Sequence, residues 1–309
     1  MGIARNLLLY ASKNSWLRER LPQFRFARKA VQRFMPGEDV TAALEAARGF
    51  QPESLSVVLT YLGENVSDSQ EAGVVSQHYC DVLRRISELG IDCEVSVKLT
   101  QLGHDIDPEI SFNNVSRVVE AAARANNYIW IDMEETKYVD STLDLYRRLH
   151  RDHSNTGVCL QAYLYRTAED LESVLPLRPG IRLVKGAYRE PPDRAFPKKS
   201  DVDENYFKLS ERLLGAAKEK TVRAGFATHD ARLIQRIQER AQTIQVPPDA
   251  FEFQMLYGIR RDLQEQLARD GYGMRVYVPY GKHWYPYFMR RLAERPANIW
   301  FVLKNFLKG

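Results

Sequence analysis

The sequence predicts a (β/α)8 TIM-like barrel, on three observations. Eight apolar runs rich in β-branched and aromatic residues alternate with eight amphipathic ones, the strand and helix order of a parallel sheet. Those strand runs are apolar at successive positions, as strands covered on both faces are. No GxGxxG turn follows the first strand, where an open doubly wound sheet would carry one. A length of 309 residues suits one barrel, which commonly takes about 250. The chain divides into a helical arm over 1–50 and a catalytic barrel over 51–309, the eighth helix lying over the barrel mouth.

The elements follow in order. Residues 1–50 read as helical throughout, broken at Pro22 and Pro36, and are too few to build a core of their own. Strand one covers 56–62 (SVVLTYL), stops at Gly63, and precedes a helix over 69–89. Strand two covers 93–99 (CEVSVKL), with a helix over 112–126. Strand three covers 128–133 (YIWIDM), with a helix running through Arg151. Strand four covers 157–163 (GVCLQAY), with a short helix from Thr167. Strand five covers 181–187 (IRLVKGA) and leads into REPPDRAFPKKS, residues 189–200. This Pro-rich, charged insertion reads as a mobile lid or as a solvated loop. A helix over 202–224, strand six over 225–229 (GFATH), a helix to Gln242 and strand seven over 251–256 (FEFQML) come next. After a helix to Ala268, strand eight covers RVYVPY, turns at Pro279, Tyr280 and Gly281, and continues as a helix carrying Arg290 and Arg291.

Charged residues at 27% and hydrophobic ones at 44% are ordinary for a globular chain. A net charge of +4, from 44 basic and 40 acidic residues, favours no nucleic-acid partner. Cys80, Cys93 and Cys159 are odd in number and form no CxxC, so they read as buried thiols of a reducing compartment. The apolar run at 7–10 is too short for a secretory signal, and no stretch approaches the roughly 20 apolar residues of a membrane span. The expected location is cytoplasmic. Basic residues among Leu, Trp and Phe over 5–33 also allow an interfacial helix at the inner face of a membrane, although packing on the barrel is the plainer reading.

Barrel enzymes of this type place their chemistry at the C-terminal ends of the strands, which turns the strand order into candidate site residues. Glu64 follows strand one and Lys98 ends strand two; Asp132, Met133 and Glu134 end strand three and Gln161 strand four. Arg182, Lys185, Gly186, Ala187 and Tyr188 belong to strand five. Thr228 and His229 end strand six, Gln254 and Leu256 strand seven, and Tyr277 strand eight. Each has a plain structural reading: Lys98 paired with Asp132, His229 and Asp230 as a helix cap, Arg290 paired with Glu294 four residues on. Together the cations Lys98, Arg182, Lys185, His229, Arg290 and Arg291 outnumber the carboxylates. Tyr188, Tyr277, Tyr280, Tyr285 and Tyr287 offer flat walls, so an anionic, partly planar ligand is expected. No HxH, HExxH or GxSxG pattern occurs, which leaves no expected metal and no serine elbow.

The series SVKL, IDMEE, QAYLYRT, RLVKGAY, ATHD, FEFQML and YGKHWYPYFMRRLAE, in that order on successive strands, closely resembles the FAD-dependent proline dehydrogenase family. The match spans residues 55–300, and RLVKGAY with YFMRRLAE is its most specific part. Without a DNA-binding arm or an aldehyde dehydrogenase domain, the chain resembles the monofunctional bacterial form. The resemblance implies that Arg290, Arg291 and Lys98 clamp a proline carboxylate, and that Tyr277, Tyr287 and Leu256 enclose the pyrrolidine ring. It implies catalytic positions at Asp132 and Arg182, the latter near flavin N5. Flavin contacts are implied at Gln161, Arg182, Lys185, Gly186, Ala187, Thr228 and His229, with Met133 or Glu134 as a further one. Glu64 is implied to pair with Arg291 and close the site.

The implied reaction is oxidation of L-proline to Δ1-pyrroline-5-carboxylate, the first step of proline catabolism to glutamate, with a quinone or other acceptor taking electrons from FAD. Guanidinium forks suit the carboxylate, and orientation of C5 against the flavin is the catalytic problem. A different chemistry stays open on the residues alone: a lyase or aldolase using Lys98 or Lys185 as a Schiff-base nucleophile. A binding barrel with a mildly basic docking face would leave the crowded rim unexplained.

Overall fold

The computed structural model describes Leu8, Tyr10, Ala11, residues 14–20, Phe24 and residues 31–294. The remainder of the helical arm expected over 1–50, and the end of the chain from 295, lie outside the described residues. Eight parallel strands close into a barrel in the order in which they occur in the chain. They are β1 (Ser56–Tyr61), β2 (Cys93–Val97), β3 (Ile129–Ile131), β4 (Thr156–Gln161), β5 (Gly180–Val184), β6 (Arg223–Ala227), β7 (Phe251–Leu256) and β8 (Gly273–Tyr280). Closure is made by β1 against β8, from Ser56 opposite Arg275 to Tyr61 opposite Tyr280.

The helices are α1 (Ser15–Arg20), α2 (Val40–Phe50), α3 (Ser69–Leu89), α4 (Pro108–Arg124), α5 (Val139–Asp152), α6 (Thr167–Val174), α7 (Lys199–Lys218), α8 (Ala231–Thr243), α9 (Arg261–Arg269) and α10 (Tyr285–Glu294). Side-chain caps start several of them: Asp39 for α2, Asp68 for α3, Asp107 for α4 and Asp230 for α8 each accept a first-turn backbone N–H.

The element order is the expected one, and the boundaries differ for local reasons. The helix expected at 112 begins at Pro108, because a proline in the first turn loses no hydrogen bond and Asp107 caps it. The helix expected to run to 224 ends at Lys218, and Arg223 already belongs to β6, opposite Gly180. Strand three is only three residues long, so Asp132 stands just beyond it. Pro279 and Tyr280 remain in β8, where Tyr280 O accepts the Leu62 N–H at 2.7 Å; the turn begins at Gly281, with φ of 119°.

Two apolar clusters form among the described residues. The larger fills the barrel and seats the helices around it. The smaller packs Val31, Phe34 and Met35 against Trp284, Tyr285 and Phe288, so the arm lies on α10. Trp284 Nε1 donates to Glu38 at 3.0 Å and Tyr285 Oη to Ala11 O at 2.9 Å, which ties the arginine helix to the chain's first residues. The 189–200 segment is pinned down. Leu164 bridges Ala195, Tyr165 Oη donates to Pro192 O at 3.0 Å, and Glu190 accepts the Thr136 N–H at 2.8 Å.

Candidate active site

Alternation along β2 turns Ser96 toward the barrel axis, with Lys98 beyond the strand's end; Asp132, beyond the end of β3, meets them both. There the Asp132 carboxylate accepts four hydrogen bonds. Ser96 Oγ and Arg182 Nη1 each donate to Oδ1 at 2.8 Å; Lys98 Nζ at 2.7 Å and Tyr277 Oη at 2.6 Å donate to Oδ2. Burial would raise this carboxyl, but the Lys98 and Arg182 charges with the Lys98 and Tyr277 hydrogen bonds hold it at about 2. Burial pulls Lys98 the other way, yet Asp132 and its neighbours raise it well above the usual lysine value, so it stays an ammonium. Burial and Asp132 push the Tyr277 phenol up to about 12, so it keeps the proton it donates.

Arg182 is 2% exposed and stacks over the Trp130 ring at 4.7 Å. Above this assembly, Arg290 forms a two-pronged ion pair with Glu64, at 2.6 and 3.2 Å, and its guanidinium lies 5.5 Å from the Tyr188 ring centre. Glu64 was expected to take Arg291. Adjacent helix positions diverge by about 100°, so Arg290 reaches the loop after β1 while Arg291 lies 5.2 Å from the Tyr287 ring centre.

A cavity of about 790 Å³ opens at the barrel mouth and gathers the expected residues. Lys98, Asp132, Met133, Gln161, Arg182, Lys185, Gly186, Ala187, Thr228, His229, Leu256, Tyr277, Tyr287, Arg290 and Arg291 all line it; Glu64 reaches it through Arg290. Two of the five expected tyrosine walls do not line it. Tyr280 is turned outward to His78 Nε2 at 2.8 Å, and Tyr285 belongs to the arm contact. Glu134 is likewise turned away, accepting the Thr100 N–H at 3.0 Å and Oγ1–H at 2.6 Å. Burial, then Glu64, push it up to about 7 against those hydrogen bonds.

Around the rest of the cavity, Lys185 is gripped by Asp203 at 2.5 Å and Asp230 at 3.0 Å. The Leu256 N–H donates to His229 Nε2 at 2.9 Å, which leaves Nδ1 as the protonated ring nitrogen of a neutral His229. Asp230 caps α8, the plain structural role, and also pairs with Lys185. Gly186 has φ of 118° and sits flat against the Tyr163 ring, where a Cβ would collide. The buried Gln161 Oε1, an acceptor, and Arg182 Nη2, a donor, have no hydrogen-bond partner among the described residues. Cys159 lines the cavity too, but burial pushes its thiol up to about 12, far from a nucleophile's range.

The family model described as proline dehydrogenase matches residues 43–304. The chain belongs to the proline dehydrogenase family. Its relatives include proline dehydrogenase 2 of Bacillus subtilis (strain 168), 37% identical over 306 residues and covering 99% of both chains. The proline dehydrogenase of Deinococcus radiodurans is 40% identical over 284 residues, 90% of each chain. Among solved structures, proline utilization A of Bdellovibrio bacteriovorus inactivated by N-propargylglycine superposes with a TM-score of 0.80 at 23% identity, a likeness of fold. It covers 94% of this chain and 36% of that one. A proline utilization A with proline bound in remote sites gives a TM-score of 0.74 at 26% identity, over 90% of this chain and 32% of its own. The chain thus spans about a third of the length of those structures.

Proline dehydrogenases are flavin-dependent oxidoreductases, and this chain is an enzyme of that class. No helix among its described residues is long and apolar enough to cross a membrane. Sequence reasoning missed Ser96, which period-two alternation from Lys98 would have found, and Tyr163, whose ring only the close approach of Gly186 reveals.

Proposed function

We propose that the chain oxidises L-proline to Δ1-pyrroline-5-carboxylate, with FAD as hydride acceptor and a quinone or another carrier taking the electrons onward. The observation that carries this reading is the cavity itself, whose lining includes Arg290, Arg291 and Lys98 together with Asp132, Tyr277 and Arg182. The residues fit a flavin. Gln161 Oε1 offers an acceptor and Arg182 Nη2 a donor, the complement of a ring edge that carries both N–H and C=O. Gly186 and Ala187 give a flat approach beside Lys185, and Met133, Thr228 and His229 complete the lining. FAD, when bound, supplies the two-electron acceptor.

The chain's own groups do the rest. Arg290, Arg291 and Lys98 hold the substrate carboxylate by charge-assisted hydrogen bonds. Tyr277, Tyr287 and Leu256 enclose the ring and exclude water. Asp132 is a positioning group: with four donors on its oxygens it keeps Lys98 charged and aims Tyr277, and has no lone pair left for a substrate proton. The amine must be neutral for its lone pair to expel hydride, and with Asp132 so occupied its proton goes to solvent before the hydride leaves. Glu64 steadies Arg290 at the entrance. The Schiff-base alternative needs a neutral lysine; Lys98 is held charged and Lys185 lies between two aspartates.

The division into arm and barrel, and a cytoplasmic site of action at a membrane face, belong to the same proposal. Tyr10, Trp16 and Phe24 are exposed on the arm, as interfacial anchors would be. The decisive experiment is the visible spectrum. The purified holoenzyme should be yellow and bleach anaerobically on addition of L-proline; a protein that oxidises no proline when given FAD overturns the reading.

A further inference from the structure

A line of buried and half-buried polar side chains runs from the barrel floor to the mouth, and Gln254 within it has no role in the scheme above. Glu252 and Gln254 are two residues apart on β7 and so share the side facing the axis. Glu252 is anchored at the floor, accepting Arg275 Nε at 3.1 Å and Arg223 Nη2 at 3.3 Å. It also accepts Gln254 Nε2 at 2.5 Å. A carboxylate only accepts, so it orients the Gln254 amide with its nitrogen toward Glu252 and its oxygen away. That oxygen accepts Arg182 Nε at 2.6 Å. Gly225, opposite Glu252 on β6, makes the room: a Cβ there would lie 2.7 Å from Gln254 Nε2.

We propose that Gln254 is a positioning residue for the oxidation, setting the plane of the Arg182 guanidinium. A guanidinium is rigid and planar, so fixing two of its nitrogens fixes the third. Gln254 fixes Nε, Ser96 and Asp132 fix Nη1 at 2.8 Å each, and Nη2 is left for a partner in the cavity. The anchored floor pair thus governs, through one amide, the direction of the donor that meets the cofactor. The proposal rests on the flavin reading above and adds the residue that aims the arginine.

The test is Gln254→Met, which keeps length and removes the acceptor, measured as anaerobic flavin reduction in the holoenzyme. The limiting rate should fall about tenfold or more, the scale of one hydrogen bond to a charged group. The half-saturating proline concentration should stay within about twofold, because the clamp is untouched. Gly225→Ala, which crowds the same amide from the neighbouring strand, should show the same split. A space-filling role would lower stability without separating the two kinetic constants. A limiting rate within twofold of the unmodified enzyme, or a loss carried by half-saturation alone, overturns the proposal; if Gln254→Met does not fold, Gly225→Ala decides on the same criteria. Failure of the unmodified holoenzyme to bleach with proline would overturn the functional reading instead.

Discussion

The Asp132→Asn substitution removes one charge and almost no volume from the centre of the site. In the native chain this carboxylate takes donors from Ser96, Arg182, Lys98 and Tyr277 at 2.6–2.8 Å. Held at about 2 instead of its ordinary 3.8, it contributes on the order of 2 kcal/mol to folding. The folded-state value is lowered, so this contribution is fully present above about pH 4 and is lost as pH falls through 2. Substitution also strands two buried cations beside a neutral amide, and unpairing a buried charge costs about 3–5 kcal/mol. We expect a loss of about 3 kcal/mol near pH 7, shrinking toward pH 3, in denaturant titrations at a series of pH values. Flavin reduction by proline should slow at least about tenfold, since Tyr277 and Lys98 lose the ionised carboxylate they share. A variant with wild-type stability near neutrality and the same acid limb would refute the account of Asp132 as the keystone of the cluster.

Three further outcomes are expected. Arg290→Met and Arg291→Met should each raise the KM for proline about tenfold or more while flavin content stays constant, read by steady-state kinetics and the visible spectrum. Glu134 has the opposite sign from Asp132: its carboxyl is pushed up to about 7, so the folded state is favoured below the ordinary 4.5 and loses that advantage as pH rises through 7. Glu134→Gln should flatten stability across that window, and an unchanged slope in thermal melts would count against the assignment. Gly186→Ala places a Cβ against the Tyr163 ring at a positive φ, and should cut the flavin retained per chain several-fold on gel filtration.

The strand and helix order was legible because each strand is a short run of Val, Ile, Leu and aromatic residues bounded by Gly or polar breaks. The strand-end rule then named about half of the cavity's lining without any knowledge of distances. What escaped is what depends on rotation and register. Adjacent arginines look equivalent in one dimension, yet α10 sends Arg290 to Glu64 and Arg291 toward Tyr287. Tyr280 and Tyr285 share composition with Tyr277 but face the helix layer and the arm. The four donors converging on Asp132 come from β2, β5 and β8 or their ends, and only closure brings them together.

The contact between the arm and α10 also bears on the order in which the molecule can be assembled. A chain emerges from the ribosome first residue first, and its early parts must wait for late partners. Here β1 awaits β8 to seal the barrel, and Phe34 and Met35 await Trp284 and Phe288 to be covered. The helix bearing Arg290 and Arg291 is the last one among the described residues, so competence to grip a carboxylate arrives with completion of the barrel. Until then Phe34 and Met35 stay uncovered, and exposed apolar surface of that kind is what makes incomplete chains prone to aggregate.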